Sequence, residues 1–337
     1  MAYSTIIKPN TNFTPTIYSG TSASHAVSVG FQPDLVWLKP RSVVDSHRLM
    51  NSVSGAGFYL MSNATNDESA SGTRFTSFDT DGFTLGDADE GWNQSGQTYA
   101  SWNFKAGGTA SSNTDGTITS SVSANTTSGF SVVTWTGTGA TATVGHGLGT
   151  TPKLFIVKER SEARNWPVIT TAKDGSWDYL YLNLTDAIDN SPQSANSSVF
   201  NFTSSNEFNA SGQTYIAYAF AEKKGFSKFG SYVGNPSVDG TFLYLGFKPA
   251  FLVVKGSTTA ESWILFDNAR SPSNAVDKRL LANAGNVETS DLVVDFLSNG
   301  VKFRSDQNAI DHANTYIYMA FAEAPLVGSN NVPANAR

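Results

Sequence analysis

Three ten-residue stretches of this sequence are similar to one another, and we call them the repeated lines. They are SGQTYASWNF (95–104), SGQTYIAYAF (211–220) and HANTYIYMAF (312–321). When the lines are aligned on their final phenylalanine, every second side chain is large and mostly apolar. A period of two is that of a β-strand with one face toward a core. The other face is largely small, as at Ala217 and Ala219, which predicts that a second layer covers it. Each line is therefore predicted to be a central core strand.

Further phrases repeat in the same order around these lines. GFQPDLVWLKPR (30–41), GTTPKLFIVKER (149–160) and GFKPAFLVVKGS (246–257) share a proline, a continuous apolar run and a lysine. We expect each proline to lie just before a strand, where its missing N–H does least harm. The prolines are Pro33, Pro152 and Pro249. Downstream, His47 stands where the other copies carry Trp166 and Trp263, so His47 is interpreted as a packing residue.

Each copy also contains a segment that is typical of a hairpin turn. The segments are FDTDGF (78–83), FTSSNEF (202–208) and FLSNGV (296–301). Asp-Gly and Asn-Gly favour a type I′ turn, because both central residues of that turn need a positive φ. The sequence therefore predicts a β-hairpin at each of the three places.

The spacing of the copies predicts the domain organisation. Pro33 and Pro152 are 119 residues apart, and Pro152 and Pro249 are 97 apart, which is too long for a solenoid period of about 20–50 residues. The predicted fold is all-β, with three tandem antiparallel β-sandwich domains of jelly-roll-like build. The predicted units are repeat 1 (1–108), a linker (109–117), repeat 2 (118–225), repeat 3 (226–326) and a C-terminal tail (327–337).

Composition argues against several classes of protein. The chain has 337 residues with 28 acidic and 22 basic side chains, and its net charge is −6. With no run of Lys or Arg, it lacks the basic footprint of a nucleic-acid-binding protein. It contains no cysteine, so we expect neither disulfides nor thiolate metal sites. No apolar run approaches the ~20 residues of a membrane helix, and no signal peptide or membrane insertion is expected.

The sequence shows no motif that would indicate catalysis. The four histidines are His25, His47, His146 and His312, and no two of them have the spacing of metal ligands. There is no P-loop and no nucleophile-elbow motif, so we expect no catalytic residues, no metal and no cofactor. A glycosidase remains open as an alternative, because its two carboxylates need no proximity in sequence.

Two loops are the candidate ligand-binding sites. The span from Gly82 to Tyr99 is 17 residues and that from Gly300 to Tyr316 is 16, whereas Asn206 to Tyr215 is only 9. This difference predicts insertions at 86–95 and 304–313, and variable loops on a rigid sheet often bind ligands. Trp92 would offer a stacking face beside polar groups. The candidate ligand-binding residues are Asp87, Asp89, Glu90, Trp92, Asn93, Asp306, Gln307, Asn308, Asp311 and His312.

Several long phrases resemble a known repeat family. FDTDGFTLG, SGQTYASWNFKAGG, GTGATATVGHGLGTTPKLFIVKER, SGQTYIAYAFAEKKGFSKFGSYVGN, GFKPAFLVVK and NTYIYMAFAEAPLVG look like virion structural proteins of tailed bacteriophages. This family is common in phages of marine bacteria and cyanobacteria and is usually described as tail fibre. The resemblance extends from about residue 12 to 328. It implies a non-enzymatic virion component with β-rich domains and supplies no catalytic residues.

The expected function is therefore that of a tail-fibre or receptor-binding subunit that is assembled in the host cytoplasm and located in the virion. Its expected partners are further copies of itself, first as a homotrimer, other tail or capsid proteins, and a host surface glycan or protein. Two alternatives remain open at this point. One is a capsid decoration, head-fibre or tail-adaptor protein, and the other is a tailspike-type glycan depolymerase.

Overall fold

A computed structural model describes residues 4–86, 89–327 and 333–335. The chain is all-β, and its regular helical elements in these ranges are a 3-10 turn at Pro9–Thr11 and one short α-helix. Within the same ranges, all pairings between the strands named below are antiparallel. The predicted all-β class is thus confirmed.

Repeat 1 forms two main sheets and a small ribbon. Their strand orders are β1-β9-β3-β4, β2-β8-β7 and β5-β6. The strands are β1 (Phe13–Ser19), β2 (His25–Ser28), β3 (Leu35–Pro40), β4 (Arg48–Asn51), β5 (Phe58–Tyr59), β6 (Ser69–Ala70), β7 (Phe75–Asp79), β8 (Gly82–Leu85) and β9 (Thr98–Phe104).

Repeat 2 has the same pair of sheets with extra edge strands. The large sheet runs β10-β11-β12-β20-β14-β15-β16-β17 and the small one β13-β19-β18. The predicted linker 109–117 contributes the edge strand β10. The elements are β10 (Ser111–Asn113), β11 (Ser120–Asn125), β12 (Phe130–Thr136), β13 (Ala142–Gly145), β14 (Leu154–Glu159), β15 (Pro167–Thr170), β16 (Asp178–Tyr181), β17 (Asp189–Asn190), β18 (Ser194–Ala195), β19 (Val199–Phe202), α1 (Asn206–Asn209) and β20 (Thr214–Phe220).

Repeat 3 again pairs a large sheet, β21-β28-β23-β24-β25, with a small one, β22-β27-β26. The strands are β21 (Ser227–Val233), β22 (Phe242–Tyr244), β23 (Phe247–Gly256), β24 (Ile264–Asp267), β25 (Leu280–Leu281), β26 (Val294–Leu297), β27 (Gly300–Phe303) and β28 (Thr315–Pro325).

The three repeated lines are β9, β20 and β28, and each lies between two neighbours in its large sheet. One face of each strand packs on the small sheet of its own repeat. In repeat 1, Val36 and Leu38 of β3 share a buried cluster with Phe83 and Leu85 of β8, and repeats 2 and 3 have corresponding clusters. The small residues of the repeated line lie on this covered face, as their sequence predicted, and the packing has β-sandwich character.

The opposite faces of the three large sheets meet in one common core. This cluster includes the large residues of all three repeated lines, such as Trp102, Tyr218 and Met319. The final phenylalanines of the lines contact one another: the ring centroids are 5.6 Å apart for Phe104 and Phe220, 5.3 Å for Phe104 and Phe321, and 6.0 Å for Phe220 and Phe321. The repeats therefore surround a shared centre, and that centre belongs to no single repeat.

The predicted loop insertions are wrong, because the β-hairpin of repeat 2 lies before the segment FTSSNEF (202–208) and not within it. The hairpin joins β18 and β19, and FTSSNEF follows it and leads into α1. Val199 pairs with Gly145 in the same register in which Gly82 pairs with Ser28 and Gly300 with Tyr244. Val199 to Tyr215 is 16 residues, so the three loops are of nearly equal length.

The predicted type I′ turns are also wrong. Gly82 and Gly300 are already the first residues of β8 and β27, and neither they nor Asp81 and Asn299 have a positive φ. Glycine is required at these places by close approach: a Cβ on Gly82 would lie 1.9 Å from the Val27 carbonyl oxygen. The glycines at 82 and 300 do mark β-hairpins, but the reason for glycine there is the close approach of a neighbouring strand and not the φ angle of a turn.

The proline prediction holds for two copies. Pro33 and Pro152 lie shortly before β3 and β14, whereas Pro249 lies inside β23. There the pairing with β28 shifts register on both sides of Pro249. Because the regular ladder is interrupted on both sides of this position, it tolerates a proline, which has no N–H to donate.

Candidate functional site

Trp92, the predicted stacking residue, is buried in repeat 1 with an exposed fraction of 1%. Its ring meets the ring of Tyr59 edge-on, with centroids 5.1 Å apart, and the Arg48 guanidinium lies 5.4 Å from the Trp92 ring centroid. The Trp92 carbonyl accepts a hydrogen bond from the Tyr18 hydroxyl at 2.7 Å. Trp92 therefore packs within its own repeat and presents no face to a ligand.

The side chains of Asn93 and Asp311 are buried, and each forms hydrogen bonds to the backbone of a segment that is distant in sequence. The Asn93 side chain accepts from the Thr21 backbone N–H at 3.0 Å and donates to the Ala23 carbonyl at 2.6 Å. Asp311 accepts from the Thr241 N–H at 2.9 Å, and in repeat 2 the corresponding residue is Asn209. These side chains satisfy buried backbone groups, which is a structural role.

The other candidate residues are divided between two repeats. Asp89 pairs with Arg74 at 3.0 Å in repeat 1, where Glu90 is exposed. In repeat 3, His312 is partly exposed and the segment 306–308, with Asp306, Gln307 and Asn308, is exposed. Asp87 lies outside the described residues. The accessible members of the set remain predicted ligand contacts.

Within the described ranges, no group of three or more histidine and carboxylate side chains could hold a metal ion. In the same ranges, no helix has the length and apolar character needed to cross a membrane.

The most regular polar feature is a ring of contacts between the repeats. The Trp166 indole donates to the Met61 carbonyl at 2.9 Å, joining repeat 2 to repeat 1. The Trp263 indole donates to the Tyr181 carbonyl at 2.9 Å, joining repeat 3 to repeat 2. The cycle closes where His47 Nε2 contacts the Leu281 carbonyl at 2.8 Å.

The His47 imidazole forms the same kind of hydrogen bond to a neighbouring repeat that the indoles of Trp166 and Trp263 form. Its Nδ1 accepts a hydrogen bond from the Trp37 indole at 2.8 Å, so Nε2 carries the proton that is donated to Leu281. Burial lowers the pKa of His47 well below its usual range, which keeps the ring neutral. The predicted packing position is thus also a hydrogen-bonding position.

A second set of equivalent contacts reinforces each junction. The backbone N–H groups of Glu68, Ile188 and Glu288 donate to the carbonyls of Arg160, Ser257 and Arg41, at 2.8, 2.9 and 2.9 Å. Two of the junctions add an ion pair, Arg160 with Glu68 at 2.6 Å and Arg41 with Glu288 at 2.8 Å. The three repeats are therefore joined by one interface used in a closed cycle.

Three buried lysines follow the apolar runs of the quoted strands. Lys39, Lys158 and Lys255 have no exposed surface, and burial lowers the pKa of each to about 8. Their ammonium groups donate to carbonyls, and Lys255 reaches the Thr185 carbonyl of repeat 2 at 3.1 Å. The sequence shows these lysines as a shared feature of the three copies, but their spacing does not indicate that they are buried.

Repeat 2 contains a cleft that sequence reasoning missed. It encloses about 210 Å³ between β15–β16 and α1. Tyr179, Tyr181 and Phe208 supply aromatic surface, and Glu207 supplies a carboxylate. The Tyr181 hydroxyl donates to Glu207 Oε2 at 3.1 Å. Glu207 belongs to the FTSSNEF segment that was interpreted as a turn, so no sequence signal pointed to it.

Among the described residues, Glu207 is the acidic side chain that lines the cleft. Burial raises its pKa, while the Tyr181 hydrogen bond and the positive charge of Arg164 act in the opposite direction. Burial also raises the pKa of the Tyr181 hydroxyl, so this hydroxyl remains a donor.

These features define a class: an all-β protein in which three similar pairs of sheets surround one core. The chain belongs to the family described as Domain of unknown function (DUF7483), whose family model matches residues 8–325. No curated protein and no solved structure matches the chain significantly.

Proposed function

We propose that this protein is a non-enzymatic structural component of a bacteriophage virion, specifically a tail-fibre or receptor-binding subunit that contributes to host attachment. The observation that carries the proposal is the closed cycle of equivalent contacts between the repeats. Phage appendages are generally threefold, and a body built from three like units around one centre suits docking on such an axis. The phrases that resemble phage structural proteins support the same reading.

The fold that belongs to this proposal is three tandem antiparallel β-sandwich units of jelly-roll-like build, related by an internal repeat. Its support is the shared order of the central strands and the equivalent register of Gly82, Val199 and Gly300 in the small sheets. The common core adds a constraint, because the units cover one another's apolar faces. The proposed body is therefore compact and stiff, as an attachment module requires.

The location of the protein in intact particles tests the function. A gold label on a C-terminal tag is imaged by electron microscopy on particles of the phage that carries the protein. Label at the distal end of a tail appendage is the expected result, and soluble protein should then compete with phage for adsorption to host cells. Label spread over the head would overturn the proposal in favour of capsid decoration.

The proposed assembly is a homotrimer in contact with other tail or capsid proteins. The chain has a mass of 36.0 kDa, so light scattering on the purified protein distinguishes one chain from three. A trimer would place three of the repeat rings around a further axis. A stable monomer would contradict the homotrimer. The three repeats of a single chain would then be the source of the threefold arrangement.

A further inference from the structure

The place in repeat 1 that is equivalent to the cleft of repeat 2 is occupied by a side chain, that of Arg48. The equivalence of the two places follows first from the strand pairing, since Leu49 pairs with Leu60 as Val168 pairs with Leu180. The residue before the second partner is a tyrosine in both repeats. Tyr179 of the cleft therefore corresponds to Tyr59.

The loop that closes the cleft is also anchored in the same way in both repeats. The Tyr99 hydroxyl donates to the Glu90 carbonyl, and the Tyr215 hydroxyl donates to the Asn206 carbonyl. Counting forward from these two carbonyls, Glu207 corresponds to Gly91 and Phe208 to Trp92.

In repeat 1 the space is occupied by the guanidinium of Arg48. This group lies 5.7 Å from the ring centroid of Tyr59 and 5.4 Å from that of Trp92. Its Nη2 pairs with Asp45 at 3.0 Å. A Cβ on Gly91 would lie 2.2 Å from the same Nη2, so glycine at 91 is what leaves room for the cation. Repeat 1 thus contains a guanidinium bound between aromatic rings and a carboxylate.

Repeat 2 keeps two aromatic rings of this arrangement and exchanges its charged groups, because the same alignment places Arg164 at the position of Asp45 and Glu207 at that of Gly91. The position of Arg48 is taken by Pro167, which directly follows Trp166 as Arg48 follows His47. The rings of Tyr179 and Phe208 line the cleft, and Glu207 places a carboxylate where repeat 1 has Gly91.

No basic side chain of the described part of the chain lines this cleft. The positive charge that acts on Glu207 is that of Arg164, and Arg164 pairs with Glu159 at 3.4 Å. The Glu207 carboxylate therefore faces a cleft whose walls offer aromatic rings and no cation.

We propose that the cleft of repeat 2 binds the guanidinium group of an organic cation, such as an arginine side chain of a partner protein. A guanidinium is planar, weakly hydrated and able to stack on aromatic rings while it donates to a carboxylate. The volume of about 210 Å³ suits such a head group better than a drug-sized ligand. The proposal does not depend on the virion assignment, because it rests on the comparison of two repeats in one chain.

Titration calorimetry on the full chain tests the proposal with L-argininamide as the probe. We expect saturable binding with a dissociation constant of about 1 mM, as for a small ligand with few contacts. Lysinamide, which carries a compact ammonium, should bind more weakly. Neutral methyl glucoside should show no saturable binding. Absence of saturable argininamide binding, or tighter binding of the glucoside, would overturn the proposal.

Two variants place the binding in this cleft. Glu207→Gln removes the charge and should weaken argininamide binding about tenfold. Pro167→Arg introduces a guanidinium at the position of Arg48, from which it can pair with Glu207, and should abolish argininamide binding by competition while the unfolding midpoint is kept. The matched control is Glu162→Gln, which removes an exposed carboxylate of the same repeat and should leave binding unchanged. Full binding by both cleft variants would show that the site lies elsewhere and would contradict the proposal.

Discussion

Among single residues, one hydrogen bond at each junction is made by chemically different side chains. Trp166 and Trp263 donate through an indole, and His47 donates through an imidazole whose tautomer is set by Trp37. What the three share is a flat ring, burial and one N–H directed at a carbonyl of a neighbouring repeat. The requirement for that geometry explains why a histidine can stand in a tryptophan position.

Replacing Trp166 with phenylalanine tests this bond. Trp166→Phe keeps a ring but removes the donor for the Met61 and Ala64 carbonyls, which lie 2.9 and 3.0 Å from Nε1. We expect a loss of about 1–3 kcal/mol in the free energy of unfolding, measured with denaturant, from the lost indole hydrogen bonds and the small void. The Met61 carbonyl keeps a hydrogen bond from the Ala64 N–H at 3.2 Å. Phe242→Leu, at a ring that is 45% exposed, is the control and should change stability by less than about 0.5 kcal/mol.

The buried lysines predict an unusual dependence of stability on pH. Each has a pKa of about 8 when folded, against 10.5 for an ordinary lysine. Between these values the unfolded chain binds more protons than the folded chain, so the free energy of unfolding rises with pH. Stability should therefore increase from about pH 8 to pH 9 in denaturant titrations, a range that lies below the ordinary tyrosine pKa of about 10.

Lys158→Met isolates one of these contributions. It removes one of three equivalent groups, so we expect the rise between about pH 8 and pH 9 to shrink by about a third. Lys153→Met changes an exposed lysine near the start of the same strand and should leave the slope as in the wild type. Equal slopes for the wild type and Lys158→Met would show that Lys158 is not the source of the rise.

Among the strands, the small sheets depend on close approach between neighbours. Gly82 begins β8 and faces the Val27 carbonyl of β2, and Gly300 holds the same relation to Leu243 of β22, where a Cβ would lie 2.1 Å from the carbonyl oxygen. Repeat 2 has Val199 at the corresponding place. Its backbone accommodates a side chain there, and this is why the glycine signal failed to mark the hairpin of repeat 2.

Gly82→Ala should break the contact between β2 and β8. The added methyl group has no space beside the Val27 carbonyl, so a strand must shift, and we expect a loss of at least about 2 kcal/mol in unfolding free energy. Gly57→Ala is the matched control, because nothing lies within 4 Å of its added Cβ. If both variants unfolded at the same denaturant concentration, crowding would not be the reason for glycine at 82.

In the molecule as a whole, the common core joins the three repeats through one shared cluster of buried side chains. Phe104, Phe220 and Phe321 contact one another, and the large sheets cover one another's apolar faces. A repeat taken alone would expose that face to water, which costs roughly 25 cal/mol for each Å² of apolar surface. We therefore expect the repeats to depend on one another for stability, although the sequence predicted tandem domains.

Calorimetry can measure this dependence. We expect the full chain to unfold in a single transition with equal calorimetric and van't Hoff enthalpies. The isolated segment 118–225 should bind a hydrophobic dye and lack a cooperative transition, because its half of the core is uncovered. Three separable transitions in the full chain, or a cooperative transition in the segment, would favour independent domains.

Local features could be predicted from the amino-acid sequence alone. The period of two in the repeated lines predicted the central strands, and the small residues on their second face predicted its covering layer. These features are readable because strand periodicity depends only on neighbours within a few positions. The three copies in the chain also revealed which positions correspond, as His47, Trp166 and Trp263 show.

The roles of those positions became clear only from the packing of the whole chain. The common core, the cycle of junctions and the burial of Trp92 depend on which distant segment covers each side chain. Composition and spacing do not encode that choice. The same is true of the cleft, because the Arg48 guanidinium lies between rings in repeat 1 and repeat 2 has Pro167 at that position. The physical reason is that burial and charge pairing are set by packing between segments far apart in sequence.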